Sequence, residues 1–542
     1  MRAFRRASVL ATLVTLLLAL PMCPGLPTLA PGSAAGEPSK TPTGKVVVAI
    51  TSLREETFLP WTGPLARKTY AGPMFDFLIH AKSDTGEFVP SLAKSWTFST
   101  DRKTVTFKLR EGVKWHDGTD FTSADVKFTL DRYIDKDSLG FSAGFFRNAL
   151  DAVEAPDGST VVLKLKSPQP ALLGELSSYG AVWIAPKKYV TEAGDKTADQ
   201  KPVGTGPYKF VRVAPAQEIE YEALDKHWRV VPDFRILLIR AIPEESARVA
   251  ALRTGEIDLS VVSTDSSAVL EKEGFRIKEI KHAYGTMFML GGLLNPTDKR
   301  FSSAKDPWGD QRVRRALNLA IDRQTIAKRL YQGRAIPHST GWMFPGWEQA
   351  EAYKYDVAEA KRLLAEAGYP NGFSVEMPAY PLNPGTELPQ LVEAVATFWD
   401  KIGVKAKIVP VDFATYRRQW SAGKTQGKIS VMRMPFFPDW GTNSTSYFGT
   451  TGPLPSYSDA DVDALLQAAL KETDLVARLK KFGDLGHLLR KKDAMVGIAI
   501  VNDTTALRGT VGDWTPLSGA HPMYWEYVTH RPPLRIFRLF EP

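Results

Sequence analysis

His116-Asp117 is the pair in this sequence that most invites a catalytic role, since an imidazole beside a carboxylate suits general acid–base work. The pair sits between Gly112 and Gly118, just after an alternating apolar segment, where a turn-stabilising hydrogen bond is the simpler account. Gly204-Thr205-Gly206 suggests a phosphate loop, yet Pro207 follows and no Lys-Ser/Thr is present, so no helix N-terminus is offered to an anion. The eight histidines (80, 116, 227, 282, 338, 487, 521 and 530) show neither His-x-x-x-His nor His-x-x-Glu-His spacing, so neither a metal site nor a metal cofactor is expected. There is no Gly-x-Ser-x-Gly nucleophile elbow. A secreted hydrolase using an Asp/Glu pair stays open as an alternative, because folding could join two of the 60 acids. With no local catalytic motif, an enzyme is not expected.

The elements that must position functional groups are legible in the patterning. Of 542 residues, 44% are hydrophobic and 24% charged, enough for two to four globular lobes. Removing the three arginines near the N-terminus takes the net charge from +9 to +6, with basic residues spread among acids, so a nucleic-acid partner is not expected. A basic start, a 12-residue apolar run from Val9 to Leu20 and a small-residue stretch read as a secretory signal peptide over 1–35, cut after Ala35. Cys23, the only cysteine, offers lipid tethering as the alternative, and Arg5-Arg6 offers a twin-arginine route. If the cut falls after Ala35, no disulfide contributes. The run Val46–Ile50 predicts a buried strand, Ser95–Leu109 a hairpin with one wet face, and Pro156-Asp157-Gly158 a second hairpin. Helices are predicted over Asp310–Gly333 and Asp356–Gly368, the second opened by a capping box of Asp356 and Glu359. A strand at 373–377, a helix near 387–402 and a strand at 404–409 form a β-α-β unit, so the class is α/β.

Ser95–Val126, reading SWTFSTDRKTVTFKLREGVKWHDGTDFTSADV, resembles the signature of the family 5 extracellular solute-binding proteins, the peptide and nickel binders of ABC importers. PVGTGPYKF (202–210), RVRRALNLAIDR (312–323), AEAKRLLAEAGYPNGF (358–373) and Val511–Trp514 follow in the family's order. The resemblance covers the chain after residue 45. It implies a two-lobed periplasmic-binding-protein fold of the large peptide-binding type: lobe I from 36–85, 201–291 and 499–542, an inserted subdomain at 86–200, and lobe II at 292–498. The chain should cross between lobes near 289–294 and return near 497–501. The implied function is capture of a small molecule or peptide between the lobes of a periplasmic monomer, with delivery to inner-membrane ABC permease subunits.

The resemblance also nominates ligand contacts. In peptide-binding relatives a Trp-x-x-Asp-Tyr-Pro-Asp-Pro-like segment supplies an aromatic wall and an amine-binding carboxylate. Here Arg433 stands where that tryptophan would be and Phe436 where the aspartate would be, followed by Phe437, Asp439, Trp440, Thr442 and Asn443. A buried ammonium without a counter-ion is costly, so this register favours an anionic ligand paired with Arg433. An oligopeptide or dipeptide ligand, anchored by Asp439 in a shifted register, is the alternative. Glu55, Phe58 and Trp61 after the opening strand, Tyr284 near the hinge, and the segment from Tyr380 to Glu387 complete the expected set. The aromatic stretch Trp342–Trp347 is expected either to roof the cleft or to plug a loop onto the core.

Overall fold

The computed structural model describes residues 41–53, 56–63, 67–81, 87–140, 142–180, 182–291, 306–382, 387–435, 440–450, 452, 454, 456–512, 514, 525 and 528–530. The segment 1–35, expected to be a signal peptide, and Cys23 within it lie outside them. No helix among the described residues is long and apolar enough to cross a membrane.

The expected opening strand is Thr43–Ile50, paired in parallel with Phe234–Ala241 on one side and Leu259–Val262 on the other. Its apolar run is explained by the packing: Val46 and Val48 enter one core with Leu237 and Ile239, while Val47 and Ala49 enter another with Leu238. A strand buried on both faces has no use for polar alternation. This sheet continues outward through the antiparallel strands Glu218–Ala223 and Tyr208–Ala214. On the other side it continues through Val496–Leu507, Arg276–Leu290 and Ile429–Pro435, and the short strand Ala335–Pro337 also pairs with Val496–Leu507, so one nine-stranded sheet joins both lobes.

Two of these strands carry the chain across. Residues 276–280 of Arg276–Leu290 pair with 503–507, whereas residues 284–288 pair with 496–501 and residues 284–290 with 429–435. The register shifts at a bulge between Ile280 and Tyr284, and the apolar run from Tyr284 through Leu290 packs in one core with residues such as Val313, Trp399 and Val431. At the bulge His282 takes φ +52°, and its backbone N–H donates to Asn502 Oδ1 at 3.0 Å. His and Asn are among the side chains that tolerate and support such a conformation.

The inserted region forms a separate four-stranded antiparallel sheet, ordered Ala93–Phe98, Thr104–Leu109, Thr160–Leu165, Leu150–Asp157. Val105, Phe107 and Leu109 point into its core while their neighbours are wetter, as the alternation predicts. In the second lobe, Ser374–Ala379 and Lys405–Pro410 pair in parallel around the helix Leu388–Asp400, which is the anticipated β-α-β unit. Helix starts follow the anticipated caps: Asp322 accepts from Thr325 N at 3.0 Å and Asp356 from Glu359 N at 2.9 Å. The capping box itself is not closed, since the Glu359 carboxylate pairs with Arg362 instead.

The two motifs that had invited chemistry are structural. His116 Nε2 donates to Gly206 O at 2.8 Å and its Nδ1 accepts from Gly204 N at 3.2 Å, so the neutral ring ties the 112–118 turn to the glycine segment. Asp117 caps its own turn through Thr119 N at 2.9 Å. Gly204 is glycine because a Cβ there would lie 1.9 Å from Met74 O.

Candidate functional site

A recess of about 90 Å³ opens where the two lobes meet the crossing strands. The first lobe contributes Glu245, at the start of the helix Glu245–Thr254, and the 261–265 segment, which ends one strand and begins the helix Thr264–Lys272. From the second lobe come Leu330, Tyr331, Glu387 and Gln390, with Arg433 from the strand Ile429–Pro435. The crossing strands add Tyr284 and Asn502 to Thr504. Its walls therefore come from both lobes and from the bridge between them, which is the placement a closing clamp requires.

Arg433 is the centre of the described geometry. It lies opposite Thr286 in the sheet, with 7% of its side chain exposed. Its Nη2 donates to Asp503 Oδ2 at 2.8 Å, its Nη1 is 3.8 Å from Glu387 Oε1, and the guanidinium sits 3.5 Å from the centroid of the Tyr284 ring. Tyr284 Oη donates to Glu387 Oε1 at 3.0 Å, closing the cluster. Burial opposes the arginine's charge, and the pull of Asp503, Tyr284 and Glu387 more than offsets it, so the pKa is raised and the group stays cationic. Burial pushes the Tyr284 and Tyr331 hydroxyls well above the ordinary phenol value, so both remain protonated donors.

This geometry corrects the expected role of Arg433. Two carboxylates and an aromatic face already meet its charge, so it does not wait in the cleft as an uncompensated anion anchor. The sequence pattern could not show this, because Asp503 lies 70 residues away.

Other nominated residues divide clearly. Tyr284 lines the recess beside Arg433. Phe58 does not: it is buried against Tyr70 and Phe210, and its N–H donates to Asp199 at 2.7 Å. Trp61 is likewise structural, its indole donating to Asp195 at 3.2 Å with Arg132 over its ring. Tyr380 is fully buried, donates to Val431 O at 2.5 Å and stacks on Tyr416 in the second-lobe core. Trp440 opens the helix Trp440–Phe448 and donates to Met343 O at 2.6 Å, while Asn443 is half-buried in the same helix. The stretch Trp342–Phe344 packs onto that core through Phe448, so it plugs rather than roofs. Glu55, Phe436, Phe437 and Asp439 lie outside the described residues, as does the side chain of Thr442.

The residues that pattern reading passed over are Glu245, Asp265, Tyr331 and Asp503. Asp503 had a readable signal, since Asn502-Asp503 is the polar step in the apolar returning strand Val496–Leu507. Among the described residues no group of three or more His, Cys, Asp or Glu side chains is arranged to hold a metal.

Comparison with known proteins agrees with this architecture. The profile of bacterial extracellular solute-binding proteins, family 5 (middle), matches residues 87–457. Heme-binding protein A of Haemophilus influenzae is 29% identical over 461 residues, covering 79% of this chain and 81% of that protein. The glutathione-binding protein of Escherichia coli O1:K1 is 32% identical over 405 residues, covering 71% and 75%. Among solved structures, the periplasmic binding protein DppA of Helicobacter pylori, in complex with the peptide STSA, superposes with a TM-score of 0.73 at 24% identity, covering 91% of this chain and 99% of that one.

Proposed function

The chain belongs to the family 5 bacterial extracellular solute-binding proteins, and from that membership and the cleft we propose that it is the extracytoplasmic binding component of an ABC importer. It captures a small molecule or peptide between its lobes and presents the closed form to membrane permease subunits. The observation that carries this is the composition of the recess: both lobes and the crossing strands each supply polar groups to one cavity, so a single solute touching all three stabilises closure. Heme, dipeptides and glutathione, the solutes named for similar proteins, span the size range such a clamp can take.

We read the protein as a binder without turnover. Its relatives are binding proteins, and the contact of His227 with Asp76 at 3.7 Å is buried and shared with Arg229. The reading further places the protein in the periplasm as a monomer, exported by residues 1–35, with a lipid tether on Cys23 as the second possibility. Separate hydrophobic cores support lobe boundaries close to those expected, with the crossing moved to 280–284.

Spin labels on Lys188→Cys and Lys361→Cys, two exposed positions in the inserted subdomain and lobe II, test the clamp with Cys23 also replaced. The small-solute fraction of the source organism's extracytoplasmic extract should shift and narrow the label–label distance, and dialysis should restore it. An unchanged distance with a solute bound would refute closure, and a chemically altered solute would favour the hydrolase.

A further inference from the structure

A polar contact joins the two lobes beside the recess. The helix Thr264–Lys272 belongs to the first lobe, its Leu270 packing in one core with Val47 and Leu238. The turn 330–334 belongs to the second: Tyr331 packs in the core of Trp399 and Val431, and Asn502 N donates to Arg334 O at 3.0 Å. From this turn the Gln332 amide donates to the Asp265 carboxylate and Arg334 Nη1 to Ser267 Oγ, both on the helix. Arg334 Nη2 reaches Glu271 Oε2 at 3.4 Å, and its Nε is 2.9 Å from Glu279 Oε1, on the half of Arg276–Leu290 that pairs with 503–507. One guanidinium therefore contacts three first-lobe side chains, one through each of its nitrogens.

Two features tie this contact to the relative placement of the lobes. The segments it joins also face each other across the recess, Thr264 and Asp265 on one wall and Leu330 and Tyr331 on the other. A hinge rotation that parts those walls therefore draws Gln332 and Arg334 off the helix. The contact also runs into the bulge of the crossing strand: Asn502 accepts from His282 N at 3.0 Å and donates through Nδ2 at 3.2 Å to Glu279 Oε2, on the carboxylate that Arg334 holds. The turn itself has an uncommon backbone. Gln332 at φ +47° and Gly333 at φ +79° are consecutive left-handed residues, closed by Gly333 N to Ala327 O at 2.9 Å and Arg334 N to Tyr331 O at 2.8 Å. A glutamine held there is strained, and the surrounding contacts must offset that strain.

We propose that Arg334 is a positioning residue for closure: with Gln332 it latches the turn 330–334 onto the helix Thr264–Lys272 and biases the clamp toward the arrangement in which both lobes line the recess, an inference that rests on the solute-clamp function above. The described lining includes Leu330 and Tyr331 but not Arg334, so Arg334 acts on affinity through the ratio of open to closed forms and not by touching solute. The side chain of Arg334 is 19% exposed, that of Glu279 32% and that of Glu271 61%, so solvent screens the latch. A screened contact of this kind changes an equilibrium by about two- to fivefold, enough to tune a clamp without locking it.

The test introduces Arg334→Ala and Glu279→Gln separately into the chain labelled at Lys188→Cys and Lys361→Cys. Label–label distance distributions are recorded without solute and during titration with the small-solute fraction of the extracytoplasmic extract. In each variant the solute-free distribution should move away from the solute-saturated distance, with the population ratio changed about two- to fivefold, and the amount of fraction needed for half-closure should rise by about the same factor. The distance reached at saturation should match wild type, because the closed form itself is retained. Glu279→Gln keeps an acceptor for Asn502 and should keep the wild-type urea midpoint, so a shifted distribution there is not a folding defect. Solute-free distributions and half-closure points equal to wild type in both variants overturn the latch while leaving the clamp standing. A fraction that binds but leaves the wild-type distance unmoved removes the clamp, and the latch falls with it.

Discussion

Replacing Arg433 with Met removes one charge from a buried cluster of three and leaves Asp503 and Glu387 facing each other across the guanidinium's place. Breaking a buried pair by deleting one partner costs about 3–5 kcal/mol, mainly because the remaining charge stays buried without compensation. The two acids keep 16% and 15% of their side-chain exposure, which puts the expected loss at the lower end, about 3 kcal/mol. Asp503→Asn alone should cost about 2 kcal/mol, and the double variant should be less destabilised than the two losses combined, with a coupling of at least ~1.5 kcal/mol. Urea unfolding followed by tryptophan fluorescence measures all three. Solute affinity in Arg433→Met tests the neutralised cluster separately: an anion anchored on the guanidinium would lose at least tenfold, and a solute that does not touch it would not. A stability within about 0.5 kcal/mol of wild type, with additive single variants, would refute the cluster as a unit.

His116 should make part of the stability acid-labile. Burial lowers its pKa to about 4, and protonation at Nδ1 would set an N–H against the Gly204 N–H, so its contribution is full above the unfolded value of ~6.5 and is lost as pH falls toward 4. About 2 kcal/mol of slope should disappear in His116→Gln, measured as urea midpoint against pH, after allowance for partial exposure. Gly204→Ala forces a methyl onto Met74 O and should cost ~4 kcal/mol or more, seen as loss of soluble, cooperatively unfolding protein. Tyr380→Phe should lose about 1 kcal/mol through its bond to Val431 O while leaving solute affinity unchanged; a binding defect would return Tyr380 to the site.

Local patterning carried the fold far. The Thr104–Leu109 alternation, the Asp322 and Asp356 caps and the β-α-β segment each depend on neighbours within a few residues, and each stands where the pattern put it. Site assignment depends on neighbours far apart. Phe58, Trp61 and Tyr380 occupy strand ends where ligand contacts were expected, but aromatic side chains satisfy a core as readily as a pocket, and the packing partners that decide lie at Asp199, Asp195 and Val431. Arg433 was expected at the cleft from the register of the family's segment and Tyr284 from its place near the hinge, and both line the recess. That Arg433 is neutralised by Asp503 and Glu387, and that Glu245, Asp265 and Tyr331 share its recess, follows only from folding segments between 245 and 503 around one hinge.

Native mass spectrometry of the mature protein purified from its own extracytoplasmic compartment tests the solute-clamp account most directly. The account predicts one small molecule per chain, released unaltered on denaturation. A chain that carries no solute and takes up none from the same compartment's extract, or that converts what it binds, would contradict it.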